Sequence, residues 1–328
     1  MTQLPDPSSP LDEATAYQAF ADMLDGKPSE EDIEHFLTVM TERDETAVEI
    51  AAAASAMRER LIAIEAPEGA IDVCGTGGDG QHTLNVSTAV SIVVASLGVP
   101  VAKHGNRAAS SKAGASDTLE ALGLDLDHAG EIAERSLADL GICFLHAANH
   151  HPAMKRITPI RKRIGKRTIF NLMGPISNPA GVKRQLIGIA RPDYVPVYAE
   201  ALKQLGAEAA MVVSGEEGLD ELSISGPSRI GSFGNVDVGE SVAPGDAGLE
   251  SFPIDAIRGG DPHFNATALT RLFEGETGGY RNAVVLNAAG ALIVAGKAGG
   301  WENGASQAAG AIDDGRAKDL LNRWIDYR

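Results

Sequence analysis

From about residue 70 onwards, short apolar runs alternate with longer segments of helical periodicity. The runs "VPVAKH", "ICFLHA", "QLIGIA" and "AAMVVSG" have the length of buried strands, and stretches such as "VPVYAEALKQLG" separate them. Short apolar strands joined by helices are typical of a parallel sheet that is covered on both faces. The alternation therefore predicts an α/β fold with a mostly parallel central sheet.

The N-terminal part of the chain has a different pattern. Residues 11–64 predict three helices, of which the last is the Ala-rich "TAVEIAAAASAMRERLIAI". We expect a small helical domain over residues 1–68, with residues 1–11 disordered, and a larger α/β domain over residues 69–328. Within the larger domain, "GNVDVGESVAPGDAG" predicts an irregular or antiparallel excursion.

Composition excludes several classes of function. The net charge is −17, and Cys74 and Cys143 are the only cysteines. Such a charge disfavours nucleic acid and anionic membranes as partners, and two thiols are too few for a disulfide framework. With no secretory signal and no apolar run of membrane-spanning length, we expect a cytoplasmic protein. The basic residues nevertheless concentrate in two stretches, 103–112 and 155–167, which either receive a small anion or form solvated faces.

The stretch "GTGGDG" follows a predicted strand and precedes an apolar helix that begins near Ser87. Glycines at such a turn let backbone N–H groups approach an anion, and the helix N-terminus adds partial positive charge. The spacing fits neither the dinucleotide pattern nor the Walker pattern. It indicates a phosphate-binding turn, with a tight packing turn as the alternative.

Two further motifs strengthen the phosphate interpretation. "NVST" places an amide and two hydroxyls at the predicted helix start, where they either cap the helix or bind phosphate or hydrated Mg²⁺. "KHGNRAASSKAGASD" is a second glycine- and serine-rich loop after a strand. Loops at the carboxyl ends of parallel strands converge, so the pair predicts a ligand phosphorylated at two separated positions.

"LDELS" places two adjacent carboxylates, Asp220 and Glu221, just beyond the strand "AAMVVSG". Most acidic pairs in loops are simply solvated. Near phosphates, however, Mg²⁺ takes one or two carboxylates and fills its remaining positions with water and phosphate oxygens. The pair is therefore a candidate Mg²⁺ site.

These stretches, together with "HPAMKRITPIRKRIGKRTIFNLMGPISNPA" and "GLDELS", resemble in order and spacing the anthranilate phosphoribosyltransferases of tryptophan biosynthesis. The resemblance runs from about residue 12 to the end of the chain. It implies a homodimer whose α/β domain is of the nucleoside phosphorylase/phosphoribosyltransferase type. It also implies that a returning segment around residues 151–175 completes the helical domain.

The implied reaction transfers the 5-phosphoribosyl group of 5-phosphoribosyl 1-diphosphate to the amine of anthranilate. The products are N-(5-phosphoribosyl)anthranilate and diphosphate, in an early step of L-tryptophan biosynthesis. An aromatic amine is already neutral at pH 7 and can attack the ribose itself. We therefore expect no side chain of the protein to act as a nucleophile or as a strong base. Oriented N–H groups, Lys103 and Mg²⁺ would instead stabilise the departing diphosphate.

The resemblance also assigns site residues. It implies that anthranilate is bound by Gly75, Asn106 and Arg161, and that two Mg²⁺ ions per active site involve Ser87, Asp220 and Glu221. Family members often have Ser at positions 108, 113 and 115, so contacts of the alanines here fall to the backbone. His104 and His151 match histidines near the anthranilate channel. The implied donor-binding residues are Gly75, Gly78, Asp79, Thr83, Asn85, Val86, Ser87, Thr88, Lys103, His104, Gly105, Asn106, Arg107, Ala108, Ala109, Ser110, Ser111 and Ala115.

Three alternatives stay open at this point. A related phosphoribosyltransferase with another aromatic acceptor would share the donor motifs, since only Asn106 and Arg161 address the acceptor. A pyrimidine nucleoside phosphorylase would share the general fold and the glycine-rich loop. A non-catalytic protein could use the basic run 155–167 on nucleic acid, although the net charge of −17 and the lack of interleaved aromatic residues disfavour this.

Overall fold

A computed structural model describes residues 2–107 and 112–328. In these residues the strands are β1 Ile71–Gly75, β2 Val101–Gly105, β3 Ile142–His146, β4 Arg184–Gly188, β5 Ala209–Gly215, β6 Ser228–Phe233 and β7 Ser241–Val242. The α-helices are α1 Glu13–Asp25, α2 Glu30–Glu42, α3 Ala47–Arg58, α4 Val86–Ser96, α5 Ala115–Ala121, α6 Leu126–Glu131, α7 Ala133–Leu140, α8 Ala147–His150, α9 Met154–Ile164, α10 Met173–Ile176, α11 Val195–Gln204, α12 Pro262–Phe273, α13 Gly279–Val294, α14 Trp301–Asp313 and α15 Arg316–Ile325. Short 3-10 helices lie at Ile169–Asn171, Pro192–Tyr194, Pro244–Ala247 and Ile254–Ile257.

The strands form one sheet in the order β3-β2-β1-β4-β5-β6-β7. The first five are parallel, whereas β6 and β7 are antiparallel. The predicted α/β fold with a mostly parallel sheet is thus confirmed, and the antiparallel excursion lies at one edge. The chain runs outward from β1 in one direction and from β4 in the other. Such a reversal of strand order opens a crevice at the carboxyl ends of the two strands.

Helices cover both faces of the sheet, and the strand side chains alternate between two cores. Met211 and Val213 of β5 belong to the core that contains α4 and α13. Val212, between them, belongs to the core that contains the N-terminal helices and α11. This alternation of successive side chains follows from the period of two in a β-strand.

The N-terminal helical unit comprises the three predicted helices α1, α2 and α3. Part of the later chain packs into the same core, since Ile157 and Ile160 of α9 are buried there with Phe20. The ring of Phe170 also meets that of Phe20 edge to face, with centroids 6.1 Å apart. These contacts support our proposal that a returning segment around residues 151–175 completes a helical domain formed by residues 1–68.

The expectation that residues 1–11 are disordered differs from the structure, in which the described residues 2–11 lie against the helical unit. The Arg43 guanidinium donates to the Pro7 carbonyl at 2.7 Å, and the Leu11 N–H donates to Glu49 at 3.0 Å. Pro7 is buried. The polar composition of the segment suggested solvation, but these contacts with α3 and the turn before it hold it in place. Among the helices that the structure describes, none has both the length and the apolar character needed to cross a membrane.

Candidate active site

The glycine-rich turn leaves the carboxyl end of β1 in a conformation that depends on its glycines. Gly77, Gly78 and Gly80 have φ values of 69°, 75° and 74°, in the left-handed region that residues with a Cβ rarely adopt. The N–H of Gly77 donates to Asp220 Oδ2 at 2.6 Å. The turn is therefore anchored to the acidic pair, which lies far away in the sequence.

Helix α4 begins where the sequence predicts it, but Asn85 is not a side-chain cap. Its Oδ1 accepts from Thr118 Oγ1 at 2.5 Å and from Asn265 Nδ2 at 2.9 Å. Its Nδ2 donates to the Ala113 carbonyl at 3.4 Å. The capping alternative for Asn85 is therefore wrong, because its amide instead joins the start of α4 to the second loop, to α5 and to α12.

The other residues at the start of α4 face the acidic pair or the interior. Val86 and Thr88 are buried, and Thr88 Oγ1 has no hydrogen-bond partner among the described residues. The N–H of Ser87 donates to Glu221 Oε1 at 3.2 Å. Thr83, before the helix, forms an isolated bridge with Arg258. The start of α4 thus presents the backbone N–H of Ser87 to the Glu221 carboxylate.

Lys103 lies in β2, and its ammonium reaches across to β1. It is 1% exposed, and its Nζ donates to the Val73 carbonyl at 2.9 Å and to Ser87 Oγ at 3.3 Å. Burial is the main cause that lowers the pKa of Lys103, and the Asp72 carboxylate opposes it. Asp72 accepts from the His104 N–H at 3.2 Å and from Asn178 Nδ2 at 2.8 Å. Asp72 therefore ties β1, β2 and the segment after α10 together beneath the site.

The second loop begins after Gly105, where a Cβ would meet the Phe144 ring at 2.8 Å. Asn106 is exposed, and its Oδ1 accepts from the Arg107 N–H. The Arg107 guanidinium pairs with Asp117 at 3.0 Å and with Glu120 at 2.5 Å. The structure thus engages the Arg107 side chain with local carboxylates. The predicted donor contacts at Ala108, Ala109, Ser110 and Ser111 lie outside the described residues, and Ala115 begins α5 at the far end of the loop.

The acidic pair sits directly over the ends of β1 and β4. A Cβ on Gly188 would overlap the Asp220 carbonyl, and a Cβ on Gly75 would overlap the Asp220 carboxylate. Only glycine leaves room for the acidic segment there. Gly188 thus shapes the site, although no motif in the sequence pointed to it.

Asp220 and Glu221 are crowded carboxylates. Burial, followed by the charge of Asp79, raises the pKa of Asp220 to about 7. Burial, followed by the charges of Asp220 and Asp79, raises the pKa of Glu221 well above its usual value. Glu221 Oε2 and Asp79 Oδ2 are buried without a hydrogen-bond partner among the described residues. Unpaired, mutually repelling carboxylate oxygens are what a divalent cation would satisfy.

The described residues contain no group of three His, Cys, Asp or Glu side chains arranged as a metal site. The two adjacent carboxylates, Asp220 and Glu221, fit a Mg²⁺ ion, which takes one or two carboxylates and obtains its other ligands from water and phosphate oxygens.

The basic run 155–167 separates into residues with different roles. Arg163 pairs with Glu30 at 2.9 Å and Glu34 at 3.3 Å, and thus fastens α9 to the helical unit. Arg161 is partly buried, and burial lowers its pKa. In the part of the chain that the structure describes, no hydrogen bond or ion pair engages the Arg161 guanidinium, and none joins it to Asn106 or Gly75. It is a cation free to receive an anion.

Arg167 is a residue that sequence reasoning missed. Its guanidinium carbon would lie 3.7 Å from a Cβ built on Gly78, and its charge acts to lower the pKa of Asp220. It therefore places positive charge beside the glycine-rich turn. The signal was its membership of the basic run, but only the fold distinguishes it from its solvated neighbours.

His104 and His151 form a buried pair with a definite hydrogen-bond direction. His104 Nδ1 lies 2.9 Å from the Gly174 carbonyl, which can only accept, so Nδ1 carries the proton. Nε2 of the neutral His104 ring is then an acceptor, and His151 Nε2 donates to it at 3.2 Å. His151 Nδ1 is left as an acceptor, and it is buried without a partner among the described residues.

Both imidazoles are neutral at physiological pH. Burial, followed by the charge of His151, lowers the pKa of His104 to about 3. Burial, followed by His150, lowers the pKa of His151 to about 4. The pair thus offers an acceptor atom, and it supplies no positive charge.

Comparisons with known proteins agree with this architecture. A model of the "Glycosyl transferase family, helical bundle domain" matches residues 7–61, and one of the "Glycosyl transferase family, a/b domain" matches residues 67–318. The fold and the site therefore define a glycosyltransferase. The predicted enzyme is confirmed, and the non-catalytic alternative is wrong.

The similar proteins are more specific. An anthranilate phosphoribosyltransferase of Novosphingobium aromaticivorans is 63% identical and covers 99% of both chains. The solved enzyme of that name from Thermus thermophilus has a TM-score of 0.89 at 39% identity, over 97% of this chain and 96% of that one. The Saccharomyces cerevisiae enzyme, in complex with PRPP and Mg, has a TM-score of 0.85 at 28% identity, over 96% and 93%. The chain belongs to the anthranilate phosphoribosyltransferase family, as the sequence motifs predicted.

Proposed function

We propose that this enzyme transfers the 5-phosphoribosyl group from 5-phosphoribosyl 1-diphosphate to the amine of anthranilate. The observation that carries the proposal is the junction of the glycine-rich turn, the start of α4 and the acidic pair, through Gly77 to Asp220 and Ser87 to Glu221. A relative that bears this name is 63% identical over nearly the whole chain. The products are N-(5-phosphoribosyl)anthranilate and diphosphate, in an early step of L-tryptophan biosynthesis.

The donor would lie across the ends of β1 and β2. The turn from Gly75 to Asp79 and the start of α4 would face the diphosphate, with Lys103 beneath it. The second loop, from Gly105 to Ala115, would hold the ribose and the 5-phosphate. This arrangement fits because oriented N–H groups and a helix N-terminus favour an anion.

Two Mg²⁺ ions would be held by Ser87, Asp220 and Glu221 together with donor oxygens. The buried, unpaired Glu221 Oε2 supports this assignment, as do the raised pKa values of both carboxyls. Bound Mg²⁺ would neutralise the charge that develops on the departing diphosphate. The complex of the yeast relative with PRPP and Mg points to the same requirement.

Anthranilate would be bound by Gly75, Asn106 and Arg161. The Arg161 guanidinium can form two parallel hydrogen bonds to the carboxylate of the substrate. The amine nitrogen attacks C1 of the ribose as the bond from C1 to the diphosphate oxygen breaks, and the nitrogen then loses one proton. Positioning of the two substrates supplies much of the acceleration.

The alternatives differ in the acceptor and the nucleophile. A phosphorylase would use free phosphate, for which the magnesium-type carboxylates have no evident purpose, and the similar proteins bear the transferase name.

We also propose, on the family resemblance, that the protein is a cytoplasmic homodimer.

Loss of anthranilate fluorescence tests the function. The protein is mixed with anthranilate, 5-phosphoribosyl 1-diphosphate and Mg²⁺, with each component omitted in turn. We expect the fluorescence to fall only when all are present. If fluorescence persists while the donor binds normally, the acceptor is another aromatic amine. If the donor does not bind, the proposed function is wrong.

A further inference from the structure

Asn287 is a polar residue within the apolar stretch 283–294 of helix α13, "GYRNAVVLNAAGALIV". It is 3% exposed. Its Oδ1 accepts from the Leu222 N–H at 2.9 Å, and its Nδ2 donates to the Leu222 carbonyl at 3.0 Å. The Nδ2 also donates to the Ala283 carbonyl, one turn earlier in the helix, at 2.9 Å. The amide therefore pairs with both backbone polar groups of a single residue.

Leu222 directly follows the acidic pair. The segment from Asp220 to Leu222 lies outside the strands of the sheet, so no neighbouring strand fixes its backbone. Gly188 bounds it on one side, where a Cβ would overlap the Asp220 carbonyl. Asn287 holds it on the other side. Together these residues act on the backbone in the way that a partner strand would.

The carboxylate positions depend on this backbone. Glu221 reaches the N–H of Ser87 at 3.2 Å, and Asp220 reaches the N–H of Gly77 at 2.6 Å. A shift of the segment would move both carboxylates away from the turn and from α4. Groups that orient metal ligands typically affect metal affinity about 10–100-fold, although they do not touch the metal.

We propose that Asn287 is a positioning residue for the acidic pair. By fixing the backbone of Leu222, it keeps Asp220 and Glu221 where they can bind the Mg²⁺ that accompanies the substrate. This inference rests on the proposed function, because it assumes that Asp220 and Glu221 bind the metal. It assigns Asn287 no contact with substrate or metal. It also gives the buried amide in the apolar stretch of α13 a role other than the formation of its own hydrogen bonds.

The test measures metal binding directly, with Mn²⁺ as the probe. Mn²⁺ is added stepwise to protein that is saturated with 5-phosphoribosyl 1-diphosphate, and the free Mn²⁺ is measured by electron paramagnetic resonance. Asn287→Leu keeps the side-chain volume but removes every hydrogen bond of the amide. We expect the Mn²⁺ dissociation constant to rise about 10–100-fold, while the KM for anthranilate stays unchanged.

Two control variants separate positioning from general destabilisation. Asn282→Ala removes an amide of the same helix that donates to the Glu250 carbonyl, and Val284→Ala removes buried volume from that helix. Both should bind Mn²⁺ like the wild type. If Val284→Ala weakens Mn²⁺ binding as much as Asn287→Leu does, the role of Asn287 is merely structural and the inference is overturned.

Gly188→Ala provides an independent perturbation of the same segment, should Asn287→Leu fail to fold. It should weaken Mn²⁺ binding and spare the KM for anthranilate. Unchanged Mn²⁺ affinity in a folded Asn287→Leu protein would refute the positioning role of Asn287. Unchanged affinity in a folded Gly188→Ala protein would refute the premise that the metal site depends on the backbone of this segment. If the wild type itself binds no Mn²⁺ with the donor present, the proposed metal site fails instead.

Discussion

The donor side and the acceptor side of the site are built in different ways. On the donor side, the glycine-rich turn, α4 and the acidic pair are joined by hydrogen bonds, and Asn85 ties them to the segment before α5. On the acceptor side, Arg161 and His151 Nδ1 have no partner among the described residues. The backbone of the donor side is thus preorganised by the protein, and only carboxylate oxygens such as Glu221 Oε2 stay open there for a cation. On the acceptor side, no such network of hydrogen bonds engages the groups that a ligand would satisfy.

The difference follows from the ligands that the two sides would take. A polyanion requires many N–H groups and cations at fixed positions, and the protein must hold these groups against their mutual repulsion. A small aromatic acid requires one cation and a few directional groups. Substitutions on the donor side should therefore affect metal use and turnover, whereas substitutions on the acceptor side should affect the acceptor alone.

The largest effect is expected for the double variant Asp220→Asn with Glu221→Gln. It removes both candidate metal carboxylates while it preserves their shape. We expect turnover to fall about 1,000-fold or more, together with loss of the dependence on Mg²⁺. Steady-state rates across a Mg²⁺ titration would measure both. Normal Mg²⁺-dependent rates in this variant would place the metal site elsewhere.

Arg161→Ala tests the acceptor side. The anthranilate carboxylate would lose its charged partner, so the KM for anthranilate should rise about 30-fold or more. The KM for the donor should change little. Arg161→Lys keeps the charge without the planar fork, so its KM for anthranilate should lie between that of the wild type and that of Arg161→Ala. Equal damage to both substrates would contradict the division into two sides.

His151→Phe should have a smaller effect. It retains a ring but removes both the unpaired Nδ1 and the Nε2–H that donates to His104, so kcat/KM for anthranilate should fall at least about tenfold, the value of one hydrogen bond. The matched variant His150→Phe alters the adjacent buried histidine, whose Nδ1 is already engaged by the Ile62 carbonyl at 2.7 Å. The two variants should differ in acceptor kinetics. Identical profiles would remove His151 from the acceptor side.

The same pair of histidines makes a prediction about pH. Because His104 and His151 titrate at about 3 and about 4, the activity should show no limb from them near pH 6.5. Their folded pKa values lie below those of the unfolded chain, so the unfolded state binds more protons between about pH 4 and 6.5. The pair therefore destabilises the fold as the pH falls through that window. An activity limb near pH 6.5 that His151→Phe abolishes would contradict this.

Much of the fold could be predicted because its signals are local. The alternation of short apolar runs with helices predicted the parallel sheet, and both phosphate-type loops lie at the ends of strands, as expected. The turn could be predicted because a cluster of glycines is a local signal for backbone with positive φ values. Even the start of α4 is local, since it follows from one apolar run.

The remaining features depend on which segments approach each other. Gly188 matters because the Asp220 carbonyl lies against it, and Asn287 matters because Leu222 does. Arg107 is predicted to contact the donor, and only the fold shows that its guanidinium pairs with Asp117 and Glu120 of α5. No sequence pattern encodes these approaches, because they join segments that lie far apart in the chain.

The smallest expected effect is on the free energy of unfolding. It tests whether the carboxylates of the donor side repel one another in the folded protein. The pKa of Asp220 is raised to about 7 in the fold, against about 4 for an unfolded carboxyl. The folded chain therefore binds more protons than the unfolded chain between those values, and stability is lost as the pH rises through the window. Asp220→Asn alone should stabilise the metal-free protein.

The gain should be about 1–2 kcal/mol at pH 8, which is less than the full pKa difference implies because Asp220 is partly exposed. It should become small at pH 3.5, where the carboxyl is mostly protonated in both states. Chemical denaturation in the presence of a chelator, at both pH values, would measure it. Added Mg²⁺ and donor should reverse the order by stabilising the wild type, which binds them, above the variant. A variant less stable than the wild type at pH 8 without metal would show that the carboxylates are not in conflict. The donor side would then owe its geometry to ordinary hydrogen bonding alone.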